Sequence, residues 1–138
     1  MKKLSILLVL LCQAVLALSI TPPKEVSEKF SEEFPEVKFV KWKKEGNNFE
    51  AEYKKGGMMH SVTYDPSGKW LEKESGISQG ELPLPAQEDC RKNFPRSVID
   101  KVEKLEFPDG TMRYELELRN NAIKKNLQYD KDGKLLNK

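Results

Sequence analysis

Few side chains in this sequence are of types that do chemistry by themselves. His60, in "GGMMHSVTY", is the only histidine, and Cys12 and Cys90 are the two cysteines. A general base needs an orienting partner, and a metal ion needs three or four ligands. One histidine and one internal cysteine supply neither. Asp65 in "DPSG" and Asp130 in "DKDG" suggest calcium at first sight, but a calcium loop draws about five oxygen ligands from one segment. Aspartate opening such a turn is explained by its carboxylate bonding nearby backbone amides. The expectation is therefore no catalytic residue, no metal, no cofactor and no enzyme. His60 is read as a sheet-margin residue opposite Tyr53, and Cys90 as a small apolar filler in a helix stripe.

The elements that place these residues follow from a repeat. Tyr64, Asp65, Gly68, Lys69 and Leu71 recur as Tyr129, Asp130, Gly133, Lys134 and Leu136, and "FEAEY" recurs as "YELEL". Further upstream, Pro23, Phe34 and Pro35 match Pro83, Phe94 and Pro95. The spacing between copies grows along the chain, which puts an insertion between Val102 and Tyr114, at a lengthened hairpin tip. Each copy opens with a helix. Thr21 is expected to cap the first, with Pro22 and Pro23 in its first turn and Val26, Phe30 and Phe34 as its apolar stripe. Pro83 and Pro85 precede the second stripe, Ala86, Cys90 and Phe94. Pro35 and Pro95 stop the helices, because the residue before proline avoids helical angles.

Turn chemistry then sets strand register. Gly46-Asn47 and Gly56-Gly57 read as two-residue hairpin turns, and "DPSG" as a type I turn closed by a left-handed glycine. Trp42 then faces Ala51, Ala51 faces Val62, Phe49 faces Tyr64, and Tyr64 faces Trp70. Opposed residues share a sheet face, so Val40, Trp42, Phe49, Ala51, Tyr53, Val62, Tyr64 and Trp70 form one apolar side. In the second copy that side is Tyr114, Leu116, Leu118, Ile123, Leu127, Tyr129 and Leu135. The opposite side is polar and expected to face water. The fold class expected is α+β, in two layers: a tandem repeat of a helix plus a four-stranded antiparallel meander, joined into one eight-stranded sheet with both helices on one face. The domains are residues 1–19, 20–78 and 79–138.

Residues 1–19 read as an export signal, with Lys2 and Lys3 ahead of an apolar run and cleavage after Ala17 or Ser19. Acylation of Cys12 is the rival reading, but Leu11 stands where a small residue belongs. Losing Lys2 and Lys3 cancels the excess of 24 basic over 22 acidic side chains. A balanced chain has no general attraction to nucleic acid or anionic lipid. Losing Cys12 leaves Cys90 without an intramolecular disulfide partner. No later stretch is apolar enough to span a membrane.

A helix ending in Phe34-Pro35, a strand with Trp42, then Phe49, Tyr53, Tyr64, Asp65, Gly68 and Trp70, resembles the PepSY-like proteins exported by Bacteroidetes-type bacteria. Their fold is similar to that of beta-lactamase inhibitory protein. The second copy departs from the pattern, with Val102 and Leu135 in place of the tryptophans. The resemblance implies a periplasmic or secreted binding module without catalytic residues, with inhibition of a protease or other exported enzyme as its usual form. The expected partner is another exported or periplasmic protein, bound on the open sheet face by Lys43, Glu50, Glu52, Met59, Glu115, Glu117 and Arg119. The alternative is a carrier of a small molecule or peptide, held in a pocket lined by Trp42, Tyr53 and Trp70.

Overall fold

Proline starts both helices. The structure is a computed structural model that describes residues 20–137, so the expected signal at 1–19 lies outside the described residues. Helix α1 spans Lys24–Glu33 and α2 spans Leu84–Asn93. The carbonyl of Pro23 accepts from Val26 and Ser27 N–H at 3.1 and 3.1 Å, and that of Pro83 from Ala86 and Gln87 at 3.0 and 3.1 Å. Pro23 is thus the N-cap, and no side-chain cap forms. The expected cap by Thr21 is corrected: that residue lies too far upstream to reach the first free amides. Both helices end as expected, with Phe34 and Phe94 as C-caps directly before proline.

Seven strands follow in simple order: β1 (Val40–Glu45), β2 (Asn48–Lys55), β3 (Met58–Tyr64), β4 (Trp70–Gly76), β5 (Val98–Glu106), β6 (Met112–Asn120) and β7 (Ile123–Asp130). They form one sheet in the order β1 to β7. The register read from the turns is the register found: Trp42 pairs with Ala51, Ala51 with Val62, Phe49 with Tyr64, and Tyr64 with Trp70. The longer tip between β5 and β6 is Phe107–Thr111, held by Gly110 N–H to the Phe107 carbonyl at 3.0 Å.

The eighth strand does not form. After β7 a single bridge joins Tyr129 to Leu135. The Asn137 side chain then takes the place of a strand backbone, accepting from Gln128 N–H at 2.6 Å and donating to the Asn126 carbonyl at 3.4 Å. A side-chain amide satisfies the edge where a ladder was expected.

The two turns that share a sequence also dock on the helices. Asp65 Oδ1 accepts from Ser67 and Lys69 N–H at 2.9 and 3.1 Å, and Asp130 Oδ1 from Asp132 and Lys134 at 2.9 and 2.9 Å. Gly68 and Gly133 have φ of +86° and +83°. A Cβ on Gly68 would lie 3.0 Å from the Glu25 carbonyl oxygen, and one on Gly133 2.9 Å from the Ala86 nitrogen. Glycine is therefore required twice over, for its backbone angle and for its contact.

The core has two parts on one side of the sheet. Val26 and Phe30 of α1 pack on Trp42, Ala51, Tyr53, Val62 and Tyr64. Ala86 and Cys90 of α2 pack on Val102, Leu116, Leu118, Leu127 and Tyr129. Ile123 is corrected: it is 74% exposed, at the hairpin tip where nothing covers it. Strands β4 and β5 join the halves through four pairs, Lys73–Glu106 to Gly76–Glu103.

Candidate functional site on the open sheet face

His60 and Cys90 each sit against a tyrosine. The His60 ring stacks on Tyr53 with centroids 5.5 Å apart. Cys90 is 7% exposed, and its Sγ lies 3.4 Å from the Tyr129 hydroxyl, which donates to Asp89 Oδ2 at 2.7 Å. Burial pushes the Cys90 thiol up, away from the nucleophilic thiolate. Among the described residues, no three His, Cys, Asp or Glu side chains are placed to hold a metal. Trp42 and Tyr53 pack against Phe30 with centroids at 5.5 and 5.5 Å. They and Trp70 do not line the recess and the groove described below.

The side of the sheet away from the helices is charged but not uniformly wet. One cross-strand row runs Lys41, Glu52, Ser61, Glu74, Leu105, Arg113. In it Ser61 and Leu105 are 6% and 8% exposed, and Leu105 belongs to neither core cluster. The expected fully solvated face is corrected accordingly. Their cross-strand neighbours in the row include Glu52, Glu74 and Arg113, side chains of the kind that can cover a neighbour with their stems while the charge stays wet.

Of the expected site residues, Glu50, Glu52 and Met59 come together. With His60, Ser61, Glu74, Lys101 and Glu103 they line a recess of about 190 Å³. Lys43 joins it from β1 by an ion pair to Glu52. The remaining three lie across the sheet with partners of their own. Glu115 accepts from Gln128 Nε2 at 3.1 Å, Glu117 from Lys124 Nζ at 2.7 Å, and Arg119 donates to both oxygens of Asp100 at 2.7 and 3.0 Å. Glu74, Lys101 and Glu103 were not expected in the site. A twenty-odd-residue connection containing α2 separates β4 from β5, and no turn signal fixes their mutual register.

Crowding of carboxylates sets the electrostatics. Burial, a hydrogen bond with Glu72, and the charges of Glu103, Glu72 and Glu50 push the Glu74 carboxyl up to about 8. Burial also raises Glu50, against the opposing Ser61 hydroxyl. Lys101 is raised in spite of its burial, because Glu103 bonds it at 2.6 Å.

Two helices on one side of an antiparallel sheet whose other side is charged and uncovered define an open-faced, two-layer α+β scaffold. The chain belongs to the PepSY-like family: residues 49–137 match the family model described as "Putative beta-lactamase-inhibitor-like, PepSY-like". No curated protein sequence matches the chain. A DUF2874 family protein from Bacteroides ovatus ATCC 8483 is similar in structure, with a TM-score of 0.76, 22% identity, and 86% of each chain covered. One of the "putative periplasmic proteins" from Bacteroides eggerthii DSM 20697 superposes with a TM-score of 0.80 at 17% identity, over 86% of this chain and 88% of that one. A BLIP-like protein from Bacteroides fragilis NCTC 9343 gives 0.70 at 20% identity, over 86% and 85%. At these identities the likeness is one of fold.

Proposed function

We propose that this chain is an exported, non-enzymatic binding module that engages another exported protein through the open face of its sheet, and that inhibition of a protease or other exported enzyme is the form this takes. The observation that carries it is the uncovered side of β1 to β7, where charged side chains surround a recess instead of meeting a second layer. An antiparallel sheet tolerates one solvated face, and burying part of it under a partner would hide Met59, now 49% exposed. Membership of a family named for beta-lactamase inhibition supports the inhibitory form. Export rests on the signal read in residues 1–19, with a similar structure described as periplasmic in support.

The same reading makes residues 20–78 and 79–138 two copies of one unit. Both helices start from a proline carbonyl, and the two tyrosines that match in the repeat each reach a helix carboxylate, Tyr64 to Glu33 at 3.5 Å and Tyr129 to Asp89 at 2.7 Å. Affinity capture from periplasmic extract tests the binding face. Glu52→Ala, Met59→Ala and Glu117→Ala should each release the captured partner several-fold faster, and retention unchanged in all three would refute the reading.

A further inference from the structure

The recess does not stand alone. Beside it, round the end of β3 and β4 toward the helix side, lies a groove of about 450 Å³ lined by Met58, Met59, Gly76, Ile77, Ile99 and Lys101 among others. Ile77 and Ile99 pack against the α2 core, and the two concavities share Met59 and Lys101. Met58 and Met59 are 42% and 49% exposed at the β2–β3 tip. Gly76 lets the β3 backbone come close at the groove's wall: a Cβ there would come within 2.8 Å of the Met59 carbonyl oxygen and 3.3 Å of Met58 Cβ. Flexible thioethers over a shallow floor suit an apolar side chain of variable shape.

The recess has the opposite character. Four carboxylates, Glu50, Glu52, Glu74 and Glu103, line it against one lysine, Lys101. Lys43 and Lys101 engage Glu52 and Glu103, whereas no ion pair among the described residues engages Glu50 or Glu74. An external cation placed here is drawn by the recess carboxylates and favours the ionised form of Glu74, which the free protein holds protonated near neutral pH. An acidic group would meet the reverse. A second copy of this chain would bring the same acidic centre to a face-to-face contact, because a two-fold interface apposes like patches.

We propose that the open face, together with the sheet end beside it, recognises a protein segment that carries a lysine or arginine next to an apolar side chain, the basic group entering the Glu50–Glu74 recess and the apolar one the Met58–Met59 groove. The proposal rests on the open-face reading above and specifies the chemistry of its partner. A cation in the recess lowers the Glu74 carboxyl from its raised position, so binding near neutral pH expels a proton.

Titrating isotope-labelled protein with the synthetic peptides GGLKLRGG, GGLELEGG and GGSKSRGG tests this by amide chemical shifts. GGLKLRGG at about 5 mM should shift Met58, Met59, Glu74 and Lys101, and raising salt to about 0.5 M should weaken the effect. GGLELEGG should leave these amides unmoved, and GGSKSRGG should bind about fivefold more weakly. Glu74→Gln and Met58→Ser should each reduce the response to GGLKLRGG. The proposal is overturned by equal shifts from GGLELEGG, by no shift at these amides with GGLKLRGG, or by concentration-dependent shifts without peptide, which would make a second copy the occupant. With a captured partner, release by Glu117→Ala but not by Glu74→Gln or Met58→Ser would sink this proposal and leave the open-face reading standing. Release by none of them would sink both.

Discussion

Glu74 shows how one side chain records its surroundings. Its carboxyl is raised from 4.5 to about 8, so between those values the folded chain holds a proton that the unfolded chain has released. Stability should therefore fall as pH rises through that window and level off above it. The groups facing Glu74 are Glu72 on its own strand, Glu50 and Glu52 from β2, Ser61 from β3, and Lys101 and Glu103 from β5. Glu74→Gln should flatten the profile and stabilise the protein at pH 8 by about 1 kcal/mol, the full shift being cut several-fold for exposure and screening. Urea titrations at the two ends of the window check this, and a less stable Glu74→Gln at pH 8 would contradict it. Tyr129 makes a second case: Tyr129→Phe removes the donor to Asp89 and the neighbour of Cys90, and should cost about 1 kcal/mol by the same titration. The positions of His60 opposite Tyr53 and of Cys90 in the α2 stripe were legible in the sequence, from the Gly56-Gly57 turn and from helical spacing. The Tyr129 hydroxyl beside Cys90 was not, because that contact joins the helix to the far end of the meander.

Among the elements, the turns do most to specify the fold. Gly46 at φ +59° has open space around it, whereas Gly68 and Gly133 combine positive φ with helix backbone at 3.0 and 2.9 Å. Gly46→Ala should cost about 1 kcal/mol for its backbone angle alone. Gly133→Ala should cost about 2–3 kcal/mol, since the turn must also lift off the first turn of α2. Equal losses in denaturant titrations would show that the docking contact contributes nothing. These turns also explain what could be read in advance. Two-residue turns such as Gly46-Asn47 fix register by themselves, so the pairs from Trp42–Ala51 to Tyr64–Trp70 followed from sequence. The Lys73–Glu106 ladder lies beyond a connection with its own helix, and the Asn137 side chain that ends the sheet carries no strand signal. Those two features decided the centre of the recess and the strand count.

At the scale of the whole molecule, two helix-covered cores lie on one side of a sheet continuous across β4 and β5, and the other side is left without a layer. The outer helix surfaces are also exposed, at Glu28 and Glu88, but the acidic recess and apolar groove open elsewhere. The division of polar and apolar sides was legible from alternation along the strands. The burial of Ser61 and Leu105 on the polar side was not, since it arises from strands brought together by the β4–β5 junction. A photo-crosslinking residue introduced at Glu52 or Glu117, and separately at Glu28 or Glu88, tests the working face directly in cells that export the protein. The expected result is a protein adduct from the two sheet positions and none from the helix positions. Adducts from Glu28 and Glu88 with none from Glu52 and Glu117 would contradict it.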